Sequence, residues 1–183
     1  MIAGIDEAGR GPLAGPVTAA AVILPKDFDT SILNDSKKLS EKKRIAAAEI
    51  IKEKALSYGI GWVWPDEIDK INIHNASLLA MKRAASELSL KADEYFVDGK
   101  FEPDIEGKVT AVIKGDATIT SIMAASILAK TSRDNWMIEY SKKETLWEFE
   151  KHKGYPTKRH SELIRKHGYS KIHRRTFNVP YCS

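Results

Sequence analysis

The 183-residue chain has little with which to cross-link itself or to enter a membrane. Its one cysteine, Cys182, cannot form an internal disulfide, which agrees with a reducing compartment. The longest apolar stretches, residues 17–24 and 119–129, are too short or too polar to span a bilayer. No basic segment followed by a long apolar run opens the chain, so we expect no signal peptide. We therefore expect a cytoplasmic protein that binds no membrane.

Acidic residues are almost missing from the last part of the chain. Residues 151–175 contain nine lysines and arginines and a single acid, Glu162. This segment carries a net charge of +8, whereas the whole chain carries +4. Such asymmetry points to a polyanionic partner, nucleic acid first. A solvated basic tail is the alternative, but several apolar and aromatic residues favour a folded segment: Tyr155, Leu163, Ile164 and Tyr169.

Apolar periodicity and turn residues predict five strands and four helices. The strands are predicted at residues 2–5, 17–24, 58–64, 95–98 and 109–113. The helices are predicted after the N-cap Ser40, from Asn72 or Asn75, from about 118 to 140, and near 157–166. Three strands followed by two that alternate with helices indicate an α/β fold, with a five-stranded mixed sheet covered by helices.

Four acids occupy one kind of position, after an apolar run and close to a glycine: Asp6, Glu7, Asp98 and Asp116. Each alone is more often a solvated turn residue or a helix cap. Clustered, they would repel one another and need cations, and their oxygen ligands suit Mg²⁺ or Mn²⁺ rather than zinc. Neighbours on an ideal strand point to opposite faces, so Asp6 and Glu7 reach one site only if the strand bends there.

Asp134 competes with Asp116 as the fourth ligand. It lies 18 residues further along, which on one helix is a separation of about 25 Å. Both acids therefore cannot bind one metal cluster. Asp134 shares a helix face with Lys130, so we interpret it as a member of a structural ion pair and assign Asp116 to the metal site.

Three further motifs indicate substrate contacts, each with a plainer alternative. Gly9-Arg10-Gly11 is neither a dinucleotide fingerprint nor a phosphate loop, and a hairpin turn is its alternative. Ser36 and Lys37 precede a helix N-terminus, which favours anions, although on pattern alone a solvated loop is the more common explanation. Tyr155 follows a basic, glycine-containing stretch and suits stacking on a base or sugar, or packing on the core.

Seven stretches resemble the ribonuclease HII family and follow the family's order. The two most specific are Gly-Ile-Asp-Glu-Ala-Gly-Arg-Gly-Pro-Leu-Ala-Gly-Pro and His-Lys-Gly-Tyr, and the full set is residues 4–16, 35–40, 98–99, 114–116, 124–130 with 133–134, 152–155 and 172–175. The related ribonuclease HIII family carries an additional N-terminal domain. Here the first predicted strand begins at Ile2, so we expect none.

The resemblance implies a ribonuclease H-like five-stranded mixed sheet flanked by helices, with a helical C-terminal region. We assign residues 1–145 to the catalytic core and 146–183 to a basic substrate-binding region packed on it, within one domain. The implied activity is endonucleolytic cleavage of the RNA strand of RNA–DNA hybrids and of single ribonucleotides in duplex DNA. Cleavage would proceed by two-metal-ion hydrolysis and leave 5′-phosphate and 3′-hydroxyl ends.

The resemblance also implies roles for single residues. Asp6, Glu7, Asp98 and Asp116 match the family's metal-binding carboxylates, for two Mg²⁺ or Mn²⁺ ions. The other matches are the loop that senses the ribose 2′-hydroxyl, the ring that packs on the neighbouring sugar, and a phosphate-contacting stretch: Gly9, Arg10, Gly11, Tyr155, Ser36 and Lys37. We expect a monomer, and the tail shows no sliding-clamp-binding motif.

The sequence departs from the family at three positions. Glu148 stands where glycine is common, and Tyr169 and Lys171 replace prolines often found near Gly168. These differences concern the C-terminal region rather than the four acids. Two other classes remain as alternatives: a non-catalytic nucleic-acid-binding module, and another metal-dependent nuclease of the resolvase or exonuclease kind.

Overall fold

The computed structural model describes residues 1–33 and 39–181, so Ser36 and Lys37 lie outside the described residues. The strands are β1 Ile2–Ala8, β2 Val17–Ile23, β3 Ser57–Val63, β4 Glu94–Asp98 and β5 Lys108–Val112. The helices are α1 Glu41–Lys54, α2 Pro65–Ser86, α3 Thr120–Ser141, α4 Phe149–His152 and α5 Lys158–His167. In these ranges no helix is long and apolar enough to cross a membrane.

The five strands form one mixed sheet in the order β3-β2-β1-β4-β5. β2 is antiparallel to both of its neighbours, whereas β1, β4 and β5 run parallel. The predicted five-stranded mixed sheet is therefore confirmed. Because parallel strands end at the same edge, the residues that close β1, β4 and β5 are brought side by side.

Helices cover both faces of the sheet. One core cluster joins β1, β2 and β3 to α2, and a second joins β2 to α1 and α3. The buried face of β3 is the one that carries its small residues, among them Gly59 and Gly61. A Cβ atom on Gly59 or Gly61 would lie 2.2 or 2.0 Å from a carbonyl oxygen of α2, so glycine is required for this close contact.

Helix α2 begins earlier than its apolar stripe predicts. Pro65 both ends β3 and opens the helix, where a missing N–H costs nothing. Asn72 then interrupts the helix with a φ of 66°. Its side-chain oxygen accepts a hydrogen bond from the backbone N–H of Asn75 at 3.0 Å, so Asn72 does cap the second part of α2.

The C-terminal region packs on the end of α3 and on the loop after β1. Its core consists of the residues Ala14, Met137, Trp147, Phe149, Leu163 and Ile172. The boundary at residue 145 stays a prediction, because a shared core does not define a division. The region also encloses three buried histidines: His152, His160 and His173.

These histidines are structural rather than a source of positive charge. His160 and His173 approach to 3.0 Å between their Nε2 atoms. Burial, followed by the neighbouring histidine, lowers the pKa of His160 to about 4 and that of His173 to about 3. Both rings are therefore neutral at pH 7 and add nothing to the positive charge of this region.

Glu148 adopts a left-handed backbone conformation, with φ 53° and ψ 39°. This conformation explains why glycine suits the position, since a Cβ atom is strained there. In this chain the Glu148 carboxylate accepts hydrogen bonds from Arg159 and, at 2.9 Å, from Lys151. Those bonds lower the pKa of Glu148 to about 2. The two ion pairs hold the Glu148 side chain, but they leave the backbone in the strained left-handed conformation.

We predict that Glu148→Gly has a Tm about 3 °C above that of Glu148→Ala. Both variants lack the carboxylate, and only alanine places a Cβ atom at positive φ. Thermal unfolding of the two proteins measures the difference. Glu144, with φ −125°, provides the control, because there alanine should equal or exceed glycine. Equal Tm values for the two Glu148 variants would contradict the strain.

Candidate active site

Three acids from separate parts of the chain meet at the edge where the parallel strands end. Each of Asp6, Asp98 and Asp116 offers a carboxylate oxygen, and these oxygens lie within 4.8 Å of one another. Asp6 and Asp98 come together because β1 and β4 are adjacent and parallel. Asp116 follows β5 in a short 3-10 turn, and its backbone N–H donates a 3.2 Å hydrogen bond to Asp98 Oδ1.

The surroundings of these acids favour a bound cation. Asp6 and Asp116 are only 5% and 6% exposed. Burial, and then the charge of Glu7, raise the pKa of Asp6 well above its ordinary value, and Asp98 adds to the effect. A divalent cation would offset both causes, since it replaces lost water and neutralises the repulsion. Three clustered carboxylates with oxygen ligands therefore fit Mg²⁺ or Mn²⁺.

Glu7 lies at the margin of this cluster rather than within it. The pairing of β1 with β2 runs unbroken to Ala8 and Thr18, so the expected bend is not an interruption of the ladder. Glu7 Oε1 lies 3.4 Å from Arg10 Nη1. Glu7 Oε2 is buried and has no hydrogen-bond partner among the described residues. Burial also raises the pKa of Glu7, and Asp98 contributes to this shift.

A cleft of about 430 Å³ opens directly beside Glu7. Gly9, Arg10 and Gly11 form part of its wall, and Tyr155 lies in the same wall. The fold therefore brings together the candidate 2′-hydroxyl loop and the candidate sugar-stacking ring, which are far apart in sequence. Arg44 and Lys130 also line this cleft, and neither was assigned to it from the sequence.

The loop after β1 is held by two buried arginines, Arg133 and Arg174, which are 0% and 1% exposed. Arg174 donates hydrogen bonds to three loop carbonyls, those of Gly9, Arg10 and Gly15. Arg133 donates to the carbonyls of Ala14, Pro16 and Lys153. Sequence reasoning missed this role for both, because neither an arginine in a basic segment, such as Arg174, nor one on a long helix, such as Arg133, carries a local sign that it will be buried.

The glycine at position 9 is required by one of these arginines. Gly9 has a φ of 92°, and a Cβ atom there would lie 2.2 Å from Arg133 Nε. The left-handed conformation and the close contact both exclude a side chain. Gly11, by contrast, has open space where a Cβ atom would stand.

Asp134 takes part in the predicted ion pair. Its Oδ1 atom accepts a 2.8 Å hydrogen bond from Lys130 Nζ, which confirms the pairing along α3. Its other oxygen lies 3.6 Å from Arg44 Nη2 of α1. Lys130 Nζ also stands 5.0 Å from the centre of the Tyr155 ring. One buried acid thus holds two cations at the cleft.

Comparison with known proteins agrees with this architecture. The Ribonuclease HII family model matches residues 3–179. Ribonuclease HII of Endomicrobium trichonymphae is 54% identical over 178 residues, covering 97% of this chain and 85% of that protein. The crystal structure of ribonuclease H2 from Pyrococcus horikoshii OT3 has a TM-score of 0.82 at 27% identity and covers 97% of this chain and 94% of that one.

A more distant structure shares the fold alone. Bst-RNase HIII in complex with Mn²⁺ is 18% identical, with a TM-score of 0.81 over 97% of this chain and 67% of that one. The family match over nearly the whole length carries the stronger conclusion. This chain belongs to the ribonuclease HII family and is a ribonuclease H, a divalent-metal-dependent hydrolase that acts on RNA–DNA hybrids.

Proposed function

We propose that the enzyme cuts the RNA strand of hybrids and also cuts at single ribonucleotides embedded in duplex DNA, leaving 5′-phosphate and 3′-hydroxyl ends. The observation that carries this proposal is one juxtaposition. A three-carboxylate cluster lies beside a cleft whose wall contains both the Gly9–Gly11 loop and Tyr155. Residues suited to phosphodiester cleavage and residues suited to ribose recognition therefore lie next to each other.

Asp6, Asp98 and Asp116 would hold divalent metal, with Glu7 reaching in from the margin. Two Mg²⁺ or Mn²⁺ ions bound there would activate a water molecule and stabilise the leaving oxygen. Mn²⁺ is present in the structure of the distant Bst-RNase HIII, which supports its inclusion here. Within the described part of the chain Glu7 Oε2 has no hydrogen-bond partner, which supports a further ligand at this point, because a buried carboxylate oxygen without a donor favours a cation.

The Gly9–Gly11 loop would read the ribose through its backbone. Arg174 binds the carbonyls of Gly9 and Arg10. In a trans peptide the N–H points away from the carbonyl of the preceding residue. The N–H groups of Arg10 and Gly11 are thus directed away from Arg174, as a fixed pair of donors. A 2′-hydroxyl can accept such a hydrogen bond, and a deoxyribose offers no atom to do so.

Tyr155 would support the sugar next to the cut. Its ring borders the cleft, and Lys130 and Arg133 stand near its face. A flat apolar surface flanked by cations suits a sugar with its phosphate. Phosphate contacts by Ser36 and Lys37 remain a prediction outside the described residues.

A single assay tests the proposed function. A duplex with one ribonucleotide and an all-DNA duplex of the same sequence are incubated with and without Mg²⁺ or Mn²⁺, and the cut is mapped. We expect a metal-dependent cut at the ribonucleotide that leaves 5′-phosphate and 3′-hydroxyl ends, and none in the DNA duplex. Binding without any cut would favour the non-catalytic module. Cuts in the all-DNA duplex would favour another metal-dependent nuclease, and a branched all-DNA substrate added to the assay would identify a resolvase.

We predict that Tyr155→Ala lowers kcat/KM on a single-ribonucleotide duplex about tenfold, and on a long hybrid by the same factor or less. A single ribonucleotide can be cut at one position only. If its sugar is misplaced, no neighbouring ribonucleotide can be cut instead, as it can be in a long hybrid. Tyr169→Ala is the matched control, since that exposed ring contacts Arg175 outside the cleft. A larger loss on the long hybrid would contradict the role of Tyr155 at the junction.

A further inference from the structure

We propose that Arg44 and Lys130 form a phosphate-binding subsite in the cleft, and that Asp134 is the residue that positions them. The ligand would be one backbone phosphate of the bound duplex, so the inference rests on the proposed function. Both cations line the cleft that borders the Gly9–Gly11 loop. They come from different helices, Arg44 from α1 and Lys130 from α3, and they converge on one carboxylate.

Among the described residues, the ion pairs of Arg44 and Lys130 with Asp134 leave one positive charge without a partner. Asp134 supplies one negative charge to two cations, and its side chain is 9% exposed. The Arg44 side chain is only 16% exposed. A second cation that is half-buried beside a single carboxylate is unfavourable unless a further anion neutralises its charge. A phosphodiester carries the one negative charge that is required.

Both cations keep donors for such an anion. Lys130 has three N–H donors, and its hydrogen bond to Asp134 occupies one of them. Arg44 has five, of which one reaches the carbonyl of Leu39 at 3.4 Å. Its Nη2 atom is 3.6 Å from Asp134, which is an ion pair rather than a good hydrogen bond. The guanidinium is therefore oriented by Asp134 without being used up by it.

The position of the subsite fits a phosphate attached to the sugar on Tyr155. Lys130 Nζ lies 5.0 Å from the centre of that ring. The lysine stands over the ring, so a phosphate next to a sugar held at Tyr155 would lie within its reach. A residue that served only to pair with Asp134 would not need to face the cleft, yet both cations do.

The test measures binding of a duplex with one ribonucleotide, without divalent metal so that no cut occurs. Each phosphate near the ribonucleotide is replaced in turn by a neutral methylphosphonate. At one position we expect the replacement to weaken duplex binding by the parent protein about tenfold. At that same position it should hardly weaken duplex binding by Lys130→Gln or Arg44→Gln. The slope of log affinity against log salt should fall by about one in these variants.

Matched variants separate recognition from folding. Lys82→Gln removes a lysine that pairs with Asp104 on the face covered by α2, and it should keep the full methylphosphonate effect and the full salt slope. Lys130→Arg should retain most of the effect, because it keeps a cation in place. A variant that is merely less stable would still lose affinity when that phosphate is replaced by a methylphosphonate. This readout therefore distinguishes the subsite from a structural ion pair.

Additive losses at every phosphate would overturn the subsite and leave Arg44 and Lys130 as partners of Asp134 alone. Cleavage of the unmodified duplex with Mg²⁺ is measured in parallel. A protein that binds with the expected coupling but does not cut would retain the subsite and refute the proposed nuclease function. Cleavage with purely additive binding would refute the subsite and retain the nuclease function. Absence of both duplex binding and cleavage would refute both.

Discussion

An Asp98→Asn variant is expected to lose cleavage by about a thousandfold or more while it binds an RNA–DNA duplex almost as tightly as the parent enzyme. Asp98 lies between Asp6 and Asp116 in the carboxylate cluster. The amide has nearly the same shape and still accepts the hydrogen bond from the Asp116 N–H. Only the negative charge and one anionic ligand are removed, and these are what a divalent cation needs.

The same substitution should raise stability in the absence of metal. The charge of Asp98 contributes to the raised pKa of both Asp6 and Glu7, so its removal relieves repulsion in the buried cluster. Such a gain is typical of a site that is arranged for a ligand rather than for folding. In saturating Mg²⁺ the order should reverse, because the parent protein gains more from the bound ion.

Single-turnover cleavage, duplex binding by fluorescence anisotropy and thermal unfolding with and without Mg²⁺ measure these effects. Asp104→Asn is the matched control, since Asp104 is exposed and pairs with Lys82 away from the cluster. Near-normal turnover by Asp98→Asn would remove Asp98 from the metal site. Unchanged stability in both conditions would indicate that the three carboxylates do not share a cation.

The acids could be selected from the sequence because strand ends have a clear local signature. Asp6 and Asp98 each come at the end of an apolar run. Asp116 follows Gly115, shortly after a third apolar run. Their convergence depends on which strands are neighbours, and the strand order is set by long-range packing that no local pattern records. The family resemblance implied a five-stranded mixed sheet, but the strand order itself was not predicted.

The supports of the site could not be predicted in the same way. Arg174 contributes to the basic count of the C-terminal segment, yet it is buried and donates to a loop more than 150 residues earlier, as the 3.0 Å bond to Gly15 shows. Arg44 lies on a helix whose apolar stripe gives no reason to expect a charge at the cleft. Such contacts depend on tertiary placement, whereas helix caps such as Ser40 are local and were predicted correctly.

Replacing Arg174 by methionine is expected to lower the free energy of unfolding by about 3 kcal/mol and kcat/KM by about a hundredfold. Burial and the nearby Arg133 lower the pKa of Arg174 to about 9, so it is still charged at pH 7. Its three hydrogen bonds hold the carbonyls of Gly9, Arg10 and Gly15. Without them, three carbonyls lose their donors, two of them on the buried residues Gly9 and Gly15, and relief of the repulsion from Arg133 offsets only part of that cost.

The loss of activity follows from the direction of two peptide groups. The carbonyls of Gly9 and Arg10 fix where the N–H groups of Arg10 and Gly11 point. Once released, those donors lose their alignment with a 2′-hydroxyl, and discrimination against deoxyribose should fall together with the rate. Arg174→Lys keeps the charge but has no planar fork to reach three carbonyls, so it should restore part of the stability and little of the discrimination.

Two control variants separate the loop from general stability. Ile51→Ala removes a buried side chain of α1 and should cost a similar 2–5 kcal/mol, while it leaves the choice between ribonucleotide and deoxyribonucleotide unchanged. Arg175→Met alters the exposed neighbour, which contacts Tyr169, and should change neither property strongly. Urea unfolding and cleavage of matched ribonucleotide and all-DNA duplexes measure both effects. If Arg174→Met were as discriminating as Ile51→Ala at equal stability, the arginine would support the fold alone, and its hydrogen bonds would not be what aligns the peptide groups of the loop.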